Sequence, residues 1–170
     1  MSPSTNMEER TLLNEGKSGR VFTVPGRPDL VEKVTRRRIR TYCIQTQKRI
    51  HRLCYDALRK ADPPLYFIRI PALEDPDTPS YKMERVDTSC PLYSENITLE
   101  PLLTKELVRA WKVFWDAGFA AWDFELYLQS DGTVFLLDFD SFGFRHSDAL
   151  PPPAFFENSC FPLHFHEMLS

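Results

Sequence analysis

Residues 36 to 61 contain no glycine or proline, and this stretch constrains the fold more than any other feature. Its apolar side chains recur every three or four residues, with a polar gap at 45–48, and Pro63 and Pro64 follow it. This pattern predicts one long amphipathic helix that ends before the prolines, with basic side chains on its solvated face. That face carries Arg36, Arg37, Arg38, Arg40, Lys48, Arg49 and Arg52.

Short apolar runs around this helix predict strands. Residues 12–24 hold two such runs on either side of a glycine-containing turn, which is typical of a hairpin. A turn cluster at 25–29 separates this hairpin from a third strand at Leu30–Val34. After the helix, further strands are expected at 66–70 and 81–86.

The second half of the chain predicts one helix and one hairpin. Apolar residues at helical spacing indicate a helix over 103–117, with Thr104 as its N-cap and Gly118 as its end. Asp131-Gly132 then separates two apolar runs, which predicts a tight hairpin. The order of elements indicates an α+β fold with two lobes: a small antiparallel sheet with one helix, then a reduced helical half.

Composition narrows the function classes. Lys plus Arg is 21 and Asp plus Glu is 24, a net charge of −3, which argues against nucleic acid as the partner. No apolar run reaches the length of a membrane span, and the polar residues 1–6 contain no signal-peptide core. We therefore expect an intracellular, cytoplasmic protein, and the basic run at 36–40 leaves a nuclear location open. Four widely spaced cysteines without a CxxC pair suit reduced thiols.

Five motifs, taken in chain order, carry a resemblance. They are Asn14-Glu15-Gly16-Lys17-Ser18-Gly19-Arg20-Val21, the strand residue Lys33, Tyr81-Lys82-Met83-Glu84-Arg85-Val86, Trp115-Asp116-Ala117-Gly118-Phe119-Ala120-Ala121-Trp122-Asp123-Phe124, and Val134-Phe135-Leu136-Leu137-Asp138-Phe139-Asp140. In this order they resemble the protein-kinase-like superfamily over residues 11–143. The resemblance implies a flexible lead-in at 1–10, a sheet-containing N-lobe at 11–86 and a truncated helical C-lobe at 87–170, together forming one kinase-like domain.

The resemblance also implies a site for ATP and Mg²⁺. Lys33 would neutralise the phosphates, Asp123 would be the catalytic base, and Asp138 would hold Mg²⁺. The remaining nucleotide-binding residues would come from the glycine turn and the hinge between the lobes. These are Gly16, Lys17, Ser18, Gly19, Val21, Met83, Glu84 and Val86.

Several departures from the family pattern bear on the activity. Asp123 and Asp138 are about three residues closer than the pattern leads us to expect, and Glu125 stands where the family has an asparagine metal ligand. Ala121 replaces the catalytic-loop histidine. The first helix holds no glutamate to pair with Lys33, and Gln45 or Gln47 could only donate or accept a hydrogen bond there. The tail after residue 140 is too short for a peptide-docking platform.

Three interpretations follow from these observations. The first is a minimal kinase that transfers the γ-phosphate of ATP to a hydroxyl group of a protein or small molecule, with a protein partner that could complete the short C-lobe. The second is a pseudokinase that acts as a nucleotide-binding or protein-interaction module. The third is an unrelated α+β interaction domain whose motifs match by chance.

Overall fold

The computed structural model describes residues 9–16, 19–35, 41–92, 101–121, 125–137 and 142–144. These residues form ten strands and two helices. In chain order, the elements are β1 Leu12–Glu15, β2 Gly19–Val24, β3 Arg27–Thr35, α1 Thr41–Arg59, β4 Ile68–Arg69, β5 Leu73–Glu74, β6 Tyr81–Glu84, α2 Pro101–Asp116, β7 Phe119–Ala121, β8 Glu125–Leu128, β9 Val134–Leu137 and β10 Phe142–Phe144.

The expected α+β class with an antiparallel sheet is confirmed. Five strands form one antiparallel sheet in the order β1-β2-β3-β6-β5, so β3 is its central strand. The turn cluster predicted at 25–29 is shorter in the structure, because only Pro25 and Gly26 turn the chain and Arg27 already begins β3. Gly26 has a φ of 73°, a backbone conformation that glycine adopts without steric cost.

Two smaller sheets lie in the second half of the chain. The predicted hairpin is present as β8 and β9, and β4 pairs with β9 in parallel. The strand predicted at 66–70 was too long, because β4 comprises only Ile68 and Arg69. The amides of Tyr66 and Phe67, which precede it, donate to the Glu106 carboxylate and not to a neighbouring strand. Strands β7 and β10 form an antiparallel pair that the sequence patterns did not predict.

The first helix follows most of its predicted apolar stripe, and Arg49 and Arg52 are exposed as predicted for its basic face. Ile50 and Cys54 are buried, as expected from their spacing, and Ile44 is buried too. Leu53, which the same spacing placed on the stripe, is 36% exposed. The prediction that Lys48 faces solvent was wrong: only 6% of the residue is exposed. Its ammonium group donates to three backbone carbonyls of the loop between β5 and β6, which the helical spacing alone cannot reveal. Residues 36–40, which carry four of the predicted basic side chains, lie outside the described residues.

The second helix begins earlier than expected. It starts at Pro101, a residue favoured in the first turn of a helix, so Thr104 lies inside the helix and the N-cap assignment was wrong. Its predicted apolar stripe is buried, and Trp111 packs edge-on against Phe114 with ring centroids 5.9 Å apart. Gly118 has a φ of 95° and donates its N–H to Trp115 O, so it ends the helix as predicted.

The described residues divide into two compact units. The first unit consists of the residues up to Lys48 together with Ala72–Arg85, and it holds the five-stranded sheet. The second unit consists of Arg49–Pro71 and the residues from Val86 onward. Its core packs Ile50 and Cys54 of α1 against the apolar stripe of α2 and the inner face of β4, β9 and β8. Neither described helix is long and apolar enough to cross a membrane.

Candidate functional site

The glycine turn between β1 and β2 is closed by a backbone hydrogen bond. Gly16 N–H donates to Gly19 O at 2.9 Å, and Gly16 itself is exposed. Gly19 is buried, and a β-carbon placed on it would lie 2.5 Å from Val34 O on the neighbouring strand. Strands β2 and β3 therefore approach each other so closely here that only glycine fits. Lys17 and Ser18, the other expected residues of this turn, lie outside the described residues.

Lys33 lies on the central strand beside this turn. It pairs with Val21 on β2 and with Tyr81 on β6, so these three residues share one face of the sheet. The Lys33 Cε atom would lie 3.5 Å from a β-carbon on Gly19, which places the lysine side chain directly alongside the turn. The structure thus brings together Gly19, Val21 and Lys33, three of the residues that the resemblance implies for nucleotide binding.

We expect Gly19→Ala to lower the free energy of unfolding by about 1–3 kcal/mol, because the added methyl group overlaps Val34 O and forces the two strands apart. Gly16→Ala is the matched control, since a β-carbon there meets nothing within 4 Å. We expect it to change stability by less than about 0.5 kcal/mol. Urea unfolding of the two variants measures both values, and equal losses would show that the approach of β2 to Val34 does not limit this position.

The expected hinge residues divide between the two units. Met83 is buried on the Lys33 face of the sheet, where it pairs with Val31, whereas Glu84 points to the opposite face. Glu84 N–H donates to Ala72 O and Arg85 N–H donates to Asp29 O, so both amides are used within the first unit. Val86 is half-buried and belongs to the second unit. Neither of these two amides is left to serve the nucleotide-binding role that the resemblance implies for this segment.

A charged cluster of Arg27, Asp29 and Glu74 lies near Glu84. The Arg27 guanidinium donates two hydrogen bonds to Asp29, at 3.0 and 2.9 Å, and one to Glu74 at 2.6 Å. This contact holds the pKa of the Asp29 carboxyl below its usual value, and the two carboxylates raise that of Arg27. A cavity of about 430 Å³ lies here, and Leu30, Leu73 and Glu84 also line it. Glu84 of the expected hinge lines this cavity, whereas neither Lys33 nor the glycine turn does.

In the second unit, the structure places Glu125 at the first position of β8. Its side chain is exposed, and its Oε2 atom accepts a hydrogen bond of 2.8 Å from the Tyr127 hydroxyl. Glu125 pairs across the strands with Leu137, the residue that precedes Asp138 in the sequence. The sequence patterns did not single out Tyr127, although its position two residues from Glu125 on a strand puts both side chains on one face.

The two aspartates expected to carry the chemistry, Asp123 and Asp138, lie outside the described residues, but the residues on either side of them are described. Ala121 pairs with Phe142, and Glu125 pairs with Leu137. Residues 122–124, which include Asp123, therefore follow and precede paired residues, and so do residues 138–141, which include Asp138. Within the described part of the chain, no three His, Cys, Asp or Glu side chains lie together as a set of metal ligands.

The two glutamines considered as partners for Lys33 occupy different environments. Gln45 is exposed, whereas Gln47 lies on the buried stripe of α1 and is only 5% exposed. Gln47 Oε1 is buried and has no hydrogen-bond partner among the described residues. Because an unpaired buried acceptor is costly, Gln47 is the better placed of the two to accept a hydrogen bond inside the first unit.

The structure describes the side chains of two cysteines, Cys54 and Cys90, and both are free thiols. Cys90 is exposed, and burial in the apolar core raises the pKa of the Cys54 thiol. Cys54 therefore stays protonated and packs as an apolar residue.

No known protein-family model matches the chain, and no curated protein sequence matches it either.

Proposed function

We propose that the chain is a minimal, atypical kinase-like phosphotransferase, which transfers the γ-phosphoryl group of ATP to a hydroxyl group with the help of Mg²⁺. In this proposal the first unit corresponds to a sheet-containing lobe that covers the nucleotide. The second unit corresponds to a reduced helical lobe that carries the catalytic and metal-binding aspartates.

The observation that carries the proposal is that the residues flanking Asp123 pair with the residues flanking Asp138. Asp123 is two residues from both Ala121 and Glu125 in the sequence, and Asp138 follows Leu137 directly. Because Ala121 pairs with Phe142 and Glu125 pairs with Leu137, the chain enters and leaves both segments at the same end of its strands. The proposal requires the carboxylates of the base and of the metal ligand to reach one reacting phosphate together.

The contact between Lys33 and the glycine turn supports the nucleotide-binding part of the proposal. A strand lysine commonly faces solvent, but here the side chain runs beside Gly19 and between Val21 and Tyr81. Backbone N–H groups of a glycine turn can bind phosphate oxygens, and an adjacent ammonium group neutralises their charge. Lys33 and the described end of the turn, Gly19, are neighbours on one sheet, and the proposal has a single nucleotide phosphate chain contact the lysine and the turn together.

The proposed reaction assigns one role to each side chain. Asp123 accepts the proton of the acceptor hydroxyl as its oxygen bonds to the γ-phosphorus. The bond from that phosphorus to the bridging oxygen breaks, and ADP leaves with the electron pair while Lys33 neutralises its phosphates. Bound Mg²⁺ would neutralise charge that develops on the phosphate oxygens. Asp138 and Glu125 would hold it, and the exposed Glu125 carboxylate is an oxygen donor of the kind this ion prefers.

A nucleotide-binding module without transfer activity is the second candidate, and the environment of Gln47 favours it. The buried stripe of α1 offers an amide at this position, which cannot form an ion pair with Lys33. Gln47 Oε1 accepts no hydrogen bond from Lys33, so this amide does not hold the lysine as a paired carboxylate would. Such a site could bind ATP without orienting it for transfer.

Titration calorimetry with ATP, with and without Mg²⁺, tests the proposal on the wild type and three variants. We expect Lys33→Met to weaken ATP binding about 10-fold or more, because a charge-assisted hydrogen bond contributes about 1.5–3 kcal/mol. Lys82→Met is the matched control, since Lys82 lies on the neighbouring strand and points to the opposite face of the sheet. Asp138→Asn should weaken binding more with Mg²⁺ than without it.

The outcomes separate the interpretations. ATP binding that Lys33→Met weakens, together with phosphoryl transfer that Asp123→Ala removes, would establish the phosphotransferase. The same binding without any transfer to protein or small-molecule hydroxyls would establish the nucleotide-binding module. Equal losses in Asp138→Asn with and without Mg²⁺ would contradict the metal assignment, and absence of ATP binding by the wild type would leave an unrelated α+β interaction domain.

A further inference from the structure

Tyr127 makes a contact that the proposed reaction does not yet use. Its hydroxyl donates a hydrogen bond of 2.8 Å to Oε2 of Glu125, on the same face of β8. A carboxylate has two oxygen atoms, each with two acceptor positions, so this contact leaves Oε1 available to another ligand. A donor on one carboxylate oxygen also limits rotation of the whole group.

The backbone at Tyr127 is held from both sides. On one side it pairs with Phe135 of β9, and on the other it forms an isolated bridge with Pro91. Two hydrogen bonds extend this second contact: Leu92 N–H donates to Leu126 O at 2.8 Å, and Leu128 N–H donates to Cys90 O at 3.0 Å. Tyr127 therefore lies on an interior strand, whereas Glu125 is at the exposed end of the same strand.

The neighbouring side chains also restrict the Tyr127 ring. Phe135 lies directly across from it, is only 4% exposed, and has the Arg69 guanidinium 4.6 Å from its ring centroid. Directly opposed residues on paired strands have β-carbons about 5 Å apart, so Phe135 limits the space open to the Tyr127 ring. The hydroxyl consequently meets Glu125 from a well-defined direction.

We infer that Tyr127 is a positioning residue, which orients the Glu125 carboxylate toward a divalent cation held at the adjoining ends of β8 and β9. This inference rests on the proposed function and extends it to a residue beyond the metal ligands. Groups that hydrogen bond to a metal ligand set its orientation, and their loss typically weakens metal affinity 10–100-fold. Replacement of the Glu125 hydrogen-bond partner should therefore change metal binding without removing a ligand.

Manganese binding, measured by electron paramagnetic resonance on the full chain with ADP present, tests this role. We expect Tyr127→Phe to weaken Mn²⁺ binding about 10-fold, because it removes the hydroxyl and keeps the ring. Glu125→Gln should weaken it at least as much, and adding Tyr127→Phe to that variant should have no further effect. Tyr66→Phe is the control, since this tyrosine is 73% exposed and its replacement should leave Mn²⁺ affinity unchanged.

Each result bears on one step of the inference. Unchanged Mn²⁺ affinity in Tyr127→Phe, combined with a loss in Glu125→Gln, would overturn the positioning role and leave the proposed function standing. Unchanged affinity in Glu125→Gln would remove Glu125 from the site, and Tyr127 with it. Absence of Mn²⁺ binding by the wild type would overturn both the inference and the proposed metal site. A purely structural role of Tyr127 would lower the unfolding midpoint and leave Mn²⁺ affinity of the folded chain unchanged.

Discussion

Replacing Glu106 by alanine is expected to lower the free energy of unfolding by about 3 kcal/mol. The residue is only 7% exposed on α2, and its carboxylate accepts hydrogen bonds from Tyr66 N–H and, at 2.5 Å, from Phe67 N–H. Phe67 O in turn accepts from Val134 N–H at 2.7 Å, so the same carboxylate fixes the segment that enters β4. A hydrogen bond to a charged group contributes about 1.5–3 kcal/mol, and water can restore part of this at the exposed Tyr66.

Urea unfolding distinguishes this role from an effect of helix propensity. Glu106→Gln keeps the size of the side chain and one acceptor oxygen, so we expect it to lose about half as much stability as Glu106→Ala. Lys105→Ala is the control on the same turn, because Lys105 is exposed and alanine favours the helix. A loss below about 1 kcal/mol in Glu106→Ala would show that solvent replaces both amide contacts.

The Glu106 contact also shows what a sequence pattern cannot supply. A glutamate between a lysine and a leucine on an amphipathic helix is typical of a solvated position. Its partners are 39 and 40 residues away in the sequence, and nothing near them marks the interaction. By contrast, Gly118 and Gly132 mark local events, the end of a helix and a hairpin turn, and the sequence predicted both.

Longer elements were predicted better from the sequence than shorter ones. Helix α2 is long enough for its period to identify the buried stripe, and that stripe is confirmed. Strands β4 and β5 have two residues each, too few to show any period, and β4 forms through a parallel pair with distant β9. Strand β7 was interpreted only as an approach to Asp123, because its partner β10 follows more than twenty residues later.

In the candidate site, local strand patterns explain some contacts, whereas others depend on packing between distant elements. The resemblance grouped Lys33 with Gly19 and Val21, and the sheet register places these three residues side by side. The Tyr127 contact with Glu125 also follows from alternation on one strand. The distinction between exposed Gln45 and buried Gln47 depended on the packing of α1, which the polar gap in its stripe concealed.

Lys48→Met is expected to lower the free energy of unfolding by about 2–4 kcal/mol, chiefly by releasing the loop between β5 and β6. The Lys48 ammonium donates to Asp75 O at 2.9 Å, to Ser80 O at 2.7 Å and to Thr78 O. An ammonium group has three N–H donors, so all three are used. Methionine fills a similar volume but takes the ammonium donor away from Thr78 O and Ser80 O, whereas Asp75 O keeps the N–H and hydroxyl donors of Thr78.

Hydrogen exchange locates the effect. We expect faster exchange in the loop at 75–80 and in α1 up to residue 48, because Lys48 joins these two segments within the first unit. Arg52→Met is the matched control, because Arg52 is exposed on the same helix and this substitution removes an equal charge. Lys48→Arg should recover part of the stability, because a guanidinium still donates to carbonyls. A loss in Lys48→Met no larger than in Arg52→Met would mean that the buried ammonium gains no more from the three carbonyls than it loses on leaving water.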